Sequence, residues 1–295
     1  MEWTPWCPLD GQPVPNTIPP LPGLYRIRRA GRDTLDYVGQ TGAGSMNLRK
    51  RLAMLRGAFA REMPYRAPHT AGPALWALRQ ISRQVTFEVS VAPLDAETPK
   101  PTRLGLEALA LFEHREAWGA SPTVNFGRMP DGFRISSDNN ARLVAAGRRF
   151  RGGPTTANDE SHVRGVPPRA TEVTSPVSAT WGGHAWTGWV TLEQAGGELP
   201  PPDARGVYRI RARGHSALLY VGQGKVRDRL RTHEAKTRRR DHAQGLVLKQ
   251  AGPLECSWAT YPPEAPELHL LEYENDLIAL HLLATGVVPG AQFLG

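Results

Sequence analysis

The chain has 295 residues, which corresponds to about two domains of ordinary size. Lys and Arg number 36 against 28 Asp and Glu, so the formal net charge is +8, and an arginine-dominated excess favours a polyanionic partner such as nucleic acid. The two cysteines lie far apart without Cys-X-X-Cys spacing, which argues against structural zinc and for a reducing compartment.

The N-terminal segment, beginning MEWTPW, lacks the basic start and apolar core of a signal peptide. No apolar run approaches 18 residues, so we expect a soluble, cytoplasmic protein without a membrane partner. Trp3 and Trp6 recur later as Trp186 and Trp189. Stacking on nucleobases is one interpretation of these pairs; packing of each N-terminal segment against the hairpin that follows it is the favoured one.

An internal repeat decides the predicted domain organisation. Aligning residues 3–40 with 186–223 gives 16 identities in 38 positions, where roughly two or three would arise by chance. In each copy, two short apolar runs rich in β-branched and aromatic residues flank a polar turn that contains glycine. This pattern predicts a β-hairpin, and the basic helical patterns that follow, at 47–55 and 226–233, predict a helix.

The remainder of the first copy is predicted to contain a Pro-rich loop at 65–73, a helix at 74–81 and a strand at 85–91. This strand would join the hairpin as its third member. Each copy is therefore predicted as a small three-stranded antiparallel sheet flanked by helices, an α+β fold. His69 in the loop is a candidate for proton transfer, although a single loop histidine is more often an ordinary surface residue.

Each copy ends in a helix that carries candidate acidic residues. Placing Glu107 opposite Glu274 also brings four other pairs into register, namely His114 with His281, Gly119 with Gly286, Pro122 with Pro289 and Phe126 with Phe293. Glu113 is the alternative in the first copy, but its counterpart would be Leu280, which leaves the second copy without a carboxylate. We therefore prefer Glu107, against the ordinary interpretation of either residue as a solvated charge on an amphipathic helix.

Residues 136–180 separate the two copies. A basic helix is predicted at 139–150, and its arginines, with Arg151, form either a phosphate-binding cluster or a solvated face. The following residues, 152–180, are rich in Gly, Pro, Ser and Thr and are predicted to be a flexible linker. The predicted organisation is a first module at 1–135, this helix and linker at 136–180, and a second module at 181–295.

The ordered set of motifs resembles the GIY-YIG nuclease family. In the first copy the resemblance rests on Gly23-Leu24-Tyr25, Tyr37-Val38-Gly39, Arg51, Glu107 and Asn125. In the second copy it rests on Gly206-Val207-Tyr208, Tyr220-Val221-Gly222, Arg229, His233 and Glu274. The copies depart from the family pattern at different points, because Leu55 replaces the histidine that many members have and Gln292 replaces the terminal asparagine.

The resemblance implies tandem nuclease modules that hydrolyse DNA with Mg²⁺ or Mn²⁺. Glu107 and Glu274 would bind the metal, the arginines would stabilise phosphate charge in the transition state, and the first tyrosine of each copy would act as the general base. Tyr37 and Tyr220 would support that base, and His233 is a further candidate catalytic residue. Since a free phenol has a pKa near 10, the tyrosine would need electrostatic help to ionise, or would position the attacking water by hydrogen bonding.

Four further residues are predicted to contact nucleic acid, namely Arg28, Arg211, Asn125 and Gln292. Two active sites on one chain could cut opposite strands of a duplex. The alternatives are a nucleic-acid-binding protein in which one or both modules are inactive, and an RNA nuclease. The residues alone do not separate these three possibilities.

Overall fold

This computed structural model describes residues 1–10, 17–42, 46–61, 71–81, 85–131, 133, 162–194, 199–239 and 241–294. The chain divides into two compact units, one formed by Met1–Thr98 with Ser121–Arg164 and the other by Pro99–Ala120 with Gly165–Gly295. His69 and the predicted basic helix at 139–150, with Arg151, lie outside the described residues.

The first unit is built on an antiparallel sheet of strands β1 (Cys7–Pro8), β2 (Gly23–Arg29), β3 (Tyr37–Thr41) and β4 (Phe87–Pro93), in the spatial order β1-β4-β2-β3. Strands β2 and β3 form the predicted hairpin, with Tyr25 opposite Gly39. Helices α1 (Leu48–Leu55) and α2 (Ala71–Ile81) contribute to the apolar core of this unit. Helix α1 does so through leucines spaced about one turn apart.

The second unit repeats this arrangement with β5 (Val190–Thr191), β6 (Arg205–Ala212), β7 (Leu218–Lys225) and β8 (Leu254–Tyr261), in the order β5-β8-β6-β7. Side chains alternate along β6, so Tyr208 packs with helices α4 (Val226–Thr237) and α5 (Ala243–Gln250). Val207 points the other way and packs with helix α6 (Glu267–Thr285). The sheet is therefore the middle layer of this unit.

The predicted α+β class is confirmed, whereas the prediction of three strands per sheet is wrong. In the described residues each sheet has four strands, because the segment that carries the tryptophan pair adds a two-residue strand beside β4 or β8. Thr4 and Thr187 fix these segments, since their backbone N–H groups donate to Val91 and Trp258 at 2.8 and 2.9 Å. Two residues are too few for hydrophobic alternation to be detected.

The long helix of the first repeat, α3 (Lys100–Trp118), belongs to the second unit and packs against α6. Its Arg115 is fully buried and makes a bidentate bond to Asp276, with both N–O distances 2.9 Å, and an ion pair with Glu272 at 2.9 Å. Asn275 donates to the backbone carbonyl of Ala108. A buried arginine needs such partners, because an unpaired charge in the interior is strongly destabilising.

Residues 165–180, whose composition predicts a flexible linker, also belong to the second unit. The backbone N–H of Val166 donates to Glu272 at 3.2 Å. The guanidinium of Arg209 donates to the carbonyls of Pro176 and Ser178 at 2.6 and 2.9 Å. These bonds attach the segment to α6 and β6. No helix within the described ranges combines the length and apolar character needed to cross a bilayer.

The tryptophan pairs pack against the hairpins, as the favoured interpretation predicts. The Arg26 guanidinium lies 4.4 and 4.8 Å from the ring centroids of Trp3 and Trp6. In the second unit, Arg209 lies 4.2 and 4.6 Å from the rings of Trp186 and Trp189. Cation–π stacking of this kind keeps the arginine-rich strand face covered, which explains why both copies keep the spacing.

Candidate active site

The centre of the candidate site is a hydrogen bond between two elements of the second unit. The hydroxyl of Tyr208, on β6, lies 2.9 Å from Nε2 of His233, on α4. Helix α4 begins directly after β7 and buries Val226, Leu230 and His233, which share one face because they are spaced about one turn apart. Anchoring by the two apolar residues therefore holds the imidazole against the tyrosine.

Tyr220 completes an aromatic group around this bond. Its ring centroid lies 4.4 Å from that of His233 and 6.0 Å from that of Tyr208. Burial, reinforced by Tyr220 and Glu274, raises the pKa of Tyr208 well above its usual value of 10. The pKa of Tyr220 is raised to about 12, by burial first and then by Glu274. Both phenols are therefore neutral at physiological pH.

Burial also lowers the pKa of His233 to about 3, with further contributions from Lys236 and Arg229. The imidazole is therefore neutral at physiological pH, and its Nε2 can accept the proton that Tyr208 donates. In that tautomer Nδ1 carries the other proton. This atom is buried, and the side chain of Gln244 lies close enough to act on the pKa of the imidazole.

Glu274 faces this group from α6. Burial raises the pKa of its carboxyl to about 7, and the nearby Arg229 opposes that shift. Glu274 also raises the pKa of both tyrosines, so the four side chains share one electrostatic environment. Within the described part of the chain the carboxyl has no hydrogen bond or ion pair, which leaves its oxygens available to a cation.

A glycine makes room for the reactive tyrosine. A Cβ atom at Gly222 would lie 2.4 Å from the Tyr208 hydroxyl oxygen and 2.8 Å from Cε1 of Tyr220. We expect Gly222→Ala to lower the free energy of unfolding by about 1–3 kcal/mol, because overpacking displaces both rings. Gly188→Ala is the control, since nothing lies within 4 Å of its Cβ position. Equal urea midpoints for the two variants would contradict this explanation.

The first unit has the same tyrosine geometry without the histidine. The ring centroids of Tyr25 and Tyr37 are 6.0 Å apart, and a Cβ at Gly39 would lie 2.6 Å from the Tyr25 hydroxyl oxygen. Leu55, which stands at the histidine position, is buried in the apolar core. Arg51 on α1 is partly buried, and its Nε has no hydrogen-bond partner in the described residues.

The carboxylate predicted for the first module lies on α3. Glu107 is partly buried there, whereas Glu113 is exposed. Because α3 is grouped with the second unit, Glu107 and the tyrosines of the first unit belong to different compact units.

The side-chain amides of Asn125 and Gln292 are buried, and each forms hydrogen bonds with the backbone of a strand. Asn125 Oδ1 accepts from the backbone N–H of Val38 at 2.9 Å, and its Nδ2 donates to the Val38 carbonyl at 2.8 Å. Gln292 Oε1 likewise accepts from Val221 at 3.0 Å. The prediction that these amides contact nucleic acid does not fit their burial. They position the strand that carries Tyr37 or Tyr220.

The two strand arginines predicted to contact phosphate are already paired. Arg28 binds Glu88 at 2.9 Å, and Arg211 binds Glu255 at 2.8 Å. Each also stacks on a tryptophan, at 4.1 Å for Trp6 and 4.0 Å for Trp189. A phosphate would have to displace a carboxylate from each, so this prediction does not fit the observed contacts either.

The motifs did not predict a pocket of about 470 Å³ that lies beside the candidate site, where Gln223, Gly224 and Lys225 meet the start of α4. A signal for it was present in the repeat, since the glutamine that follows Tyr-Val-Gly occurs in both copies as Gln40 and Gln223. Arg229 is near both this pocket and Glu274, because it lines the pocket and also acts on the pKa of that carboxyl.

Few side chains of the candidate site can bind a metal ion, but they fit the predicted Mg²⁺ or Mn²⁺. No cluster of three or more His, Cys, Asp or Glu side chains suited to a metal occurs in the described residues. A single available carboxylate nevertheless fits Mg²⁺ or Mn²⁺, because such ions keep several waters and take phosphate oxygens from the substrate.

Comparison with protein-family models, curated proteins and solved structures gives no match to this chain. Its resemblance to the GIY-YIG family therefore depends on the residues described above.

Proposed function

We propose that the chain is a metal-dependent endonuclease with tandem GIY-YIG modules, which hydrolyses phosphodiester bonds in DNA. The observation that carries this proposal is the bond from Tyr208 to His233, set beside Tyr220, Arg229 and the available carboxyl of Glu274. A proton acceptor, a cation for phosphate and a metal ligand are the three groups that hydrolysis of a phosphodiester requires.

The neutral tyrosine and neutral imidazole define the proton path. As the attacking water forms its bond to phosphorus, it gives a proton to the Tyr208 oxygen while the phenol proton passes to Nε2 of His233. The bond to the departing 3′ oxygen breaks, and that oxygen takes a proton from solvent. Because the pKa of His233 is only about 3 without substrate, the negative phosphate of the substrate must help to stabilise the imidazolium.

Arg229 is suited to the phosphate. Its side chain is exposed and has no ion pair in the described residues, so no carboxylate has to be displaced. Glu274 would hold Mg²⁺ or Mn²⁺, and the ion would supply Lewis-acid stabilisation of charge on the phosphate oxygens. The sequence repeat predicts that the first module is a second nuclease module, which would let one chain cut both strands of a duplex.

Cleavage of supercoiled plasmid in Mg²⁺ or Mn²⁺ tests the proposal, with wild type, Glu107→Ala, Glu274→Ala and the double variant compared. We expect wild type to linearise the plasmid and Glu274→Ala to lose at least one of the two cuts. If one substitution abolishes all cutting, the other module is a binding scaffold. Metal-dependent cutting of RNA alone would identify an RNA nuclease. Absence of cutting on both substrates would favour a binding protein and overturn the proposal.

A further inference from the structure

We propose that the pocket between the end of β7 and the start of α4 binds a second backbone phosphodiester of the substrate, next to the one that is cut. This inference rests on the proposed function and adds a substrate-binding subsite to it. The pocket is lined by Gln223, Gly224, Arg229, Thr232, the ion pair of Arg205 with Glu267, and the charged side chains of Lys225 and Asp228.

Gln223 is the first observation that points to a ligand. The residue is only 8 % exposed, yet its Oε1 is buried with no hydrogen-bond partner in the described residues. A buried amide oxygen without a partner is costly, and a group that binds there is one explanation for it. Rotation of the terminal amide, which is a soft torsion, would present its NH₂ donors to a phosphate oxygen.

The start of α4 is the second observation. Its N-cap is Lys225, which offers no side-chain acceptor, so the first turn of this 12-residue helix has no side-chain cap. In the first module the equivalent helix is capped, because Asn47 Oδ1 accepts from the backbone N–H of Lys50 at 3.0 Å. Apart from the N–H of Val226, which donates to the Ala204 carbonyl at 3.1 Å, the first-turn N–H groups and the partial positive charge of an uncapped helix N-terminus favour an anion.

Gly224 lets the backbone and Arg229 approach each other. Its φ of +119° lies where side chains are strained, and a Cβ there would lie 3.3 Å from Nε of Arg229. The first module has Thr41 at this position. The uncapped helix and the glycine therefore distinguish the second module, and both act on the same pocket.

The net charge of the residues that line the pocket favours a backbone phosphodiester over free phosphate. Arg205, Lys225 and Arg229 contribute three positive charges, and Asp228 and Glu267 contribute two negative ones, so the pocket has a net charge of +1. Glu267 is already paired with Arg205 at 3.2 Å. A backbone phosphodiester carries one negative charge and balances the pocket, whereas the dianionic form of free phosphate would be repelled by Asp228.

The test measures binding of a fluorescent single-stranded DNA 12-mer to the full chain in EDTA, at several salt concentrations. We expect Gln223→Leu to weaken binding about 5-fold to 10-fold, as for a lost hydrogen bond to a charged group, with the salt dependence unchanged because no charge is removed. Lys225→Gln should weaken binding and reduce the salt slope by about 1. Lys225→Asn should weaken it further, because asparagine can cap α4 as Asn47 caps α1.

Lys249→Gln is the matched control, since it removes one exposed charge from α5 outside the pocket. Thermal unfolding followed by circular dichroism checks that each variant is folded. Wild-type affinity in Gln223→Leu, or equal affinities for Lys225→Asn and Lys225→Gln, would overturn the proposal. Loss of inorganic phosphate binding in Gln223→Leu with unchanged DNA affinity would identify a free-phosphate site and also overturn it.

These outcomes are separate from those of the nuclease proposal. If DNA binding shows the expected variant pattern but no substrate is cut, the subsite stands and the proposed activity fails. If wild type cuts DNA in Mg²⁺ while Gln223→Leu and Lys225→Asn bind and cut as well as wild type does, the activity stands and the subsite fails.

Discussion

His233→Leu, made in a Glu107→Ala background so that only the second site is measured, is expected to lower the rate of DNA cleavage about 10²-fold to 10⁴-fold. The phenol of Tyr208 has a pKa raised well above 10, so it cannot relay a proton unless another group accepts one. His233 Nε2, 2.9 Å away, is that acceptor. Initial rates of plasmid nicking in Mg²⁺ give the measurement.

The same substitution should leave the fold intact. Leucine is the residue that the first module has at this position, Leu55, and it is buried there. The change also removes the partner of the buried Tyr208 hydroxyl, so we expect the free energy of unfolding to fall by about 1–3 kcal/mol while the variant stays folded.

Tyr208→Phe provides a second variant of the same proton path. It should lose activity to a similar extent, and the double variant should lose little more, because the two residues act as one unit. Cleavage by His233→Leu within about threefold of its parent would contradict the proton path. So would a double variant whose loss equals the product of the two single losses.

The Tyr208–His233 pair also predicts that the two modules differ in their rate of cleavage. Tyr25 and Tyr37 reproduce the ring geometry of Tyr208 and Tyr220, but Leu55 offers no proton acceptor. If both sites cut, we therefore infer that the second cuts faster, and nicked circles should accumulate before linear plasmid.

The hairpins, the helices that follow them and the α+β class could be predicted because they depend on local signals. Alternating apolar residues and Gly-containing turns specify β2–β3 and β6–β7, and the repeat doubles each signal. The same local order placed Tyr208 and His233 together, since α4 starts at the residue after β7.

The features that the sequence did not predict depend on contacts between residues that lie far apart in the chain. Arg28 and Arg211 had the composition expected of phosphate contacts, but their partners Glu88 and Glu255 come from the adjacent strand, β4 or β8. Arg115 is buried only because Glu272 and Asp276 of α6 supply two carboxylates, and the sequence order does not reveal this pairing. Both copies have equivalent helices, so the repeat could not indicate that α3 would be grouped with the second unit.

Glu274→Gln is expected to abolish cleavage by the second site and to stabilise the protein at pH 8. The carboxyl has a pKa of about 7 in the folded protein, against an ordinary 4.5 when the chain is unfolded. Between these values only the folded state keeps the proton, so stability falls as pH rises through this range. The gap corresponds to at most about 3 kcal/mol, and partial exposure reduces the expected gain to about 1–2 kcal/mol.

Urea unfolding at pH 5 and pH 8 in EDTA provides the measurement, with exposed Glu193→Gln as the control. The stability advantage of the Glu274→Gln variant over wild type should be small at pH 5, where the folded wild type is protonated, and should develop toward pH 8.

Mg²⁺ added at pH 8 should then raise the urea midpoint of wild type but leave that of Glu274→Gln unchanged, because the neutral amide replaces the charged ligand. A metal-induced gain that is equal in both proteins would place the cation elsewhere. An advantage that is the same at both pH values would show that burial does not raise the pKa of this carboxyl.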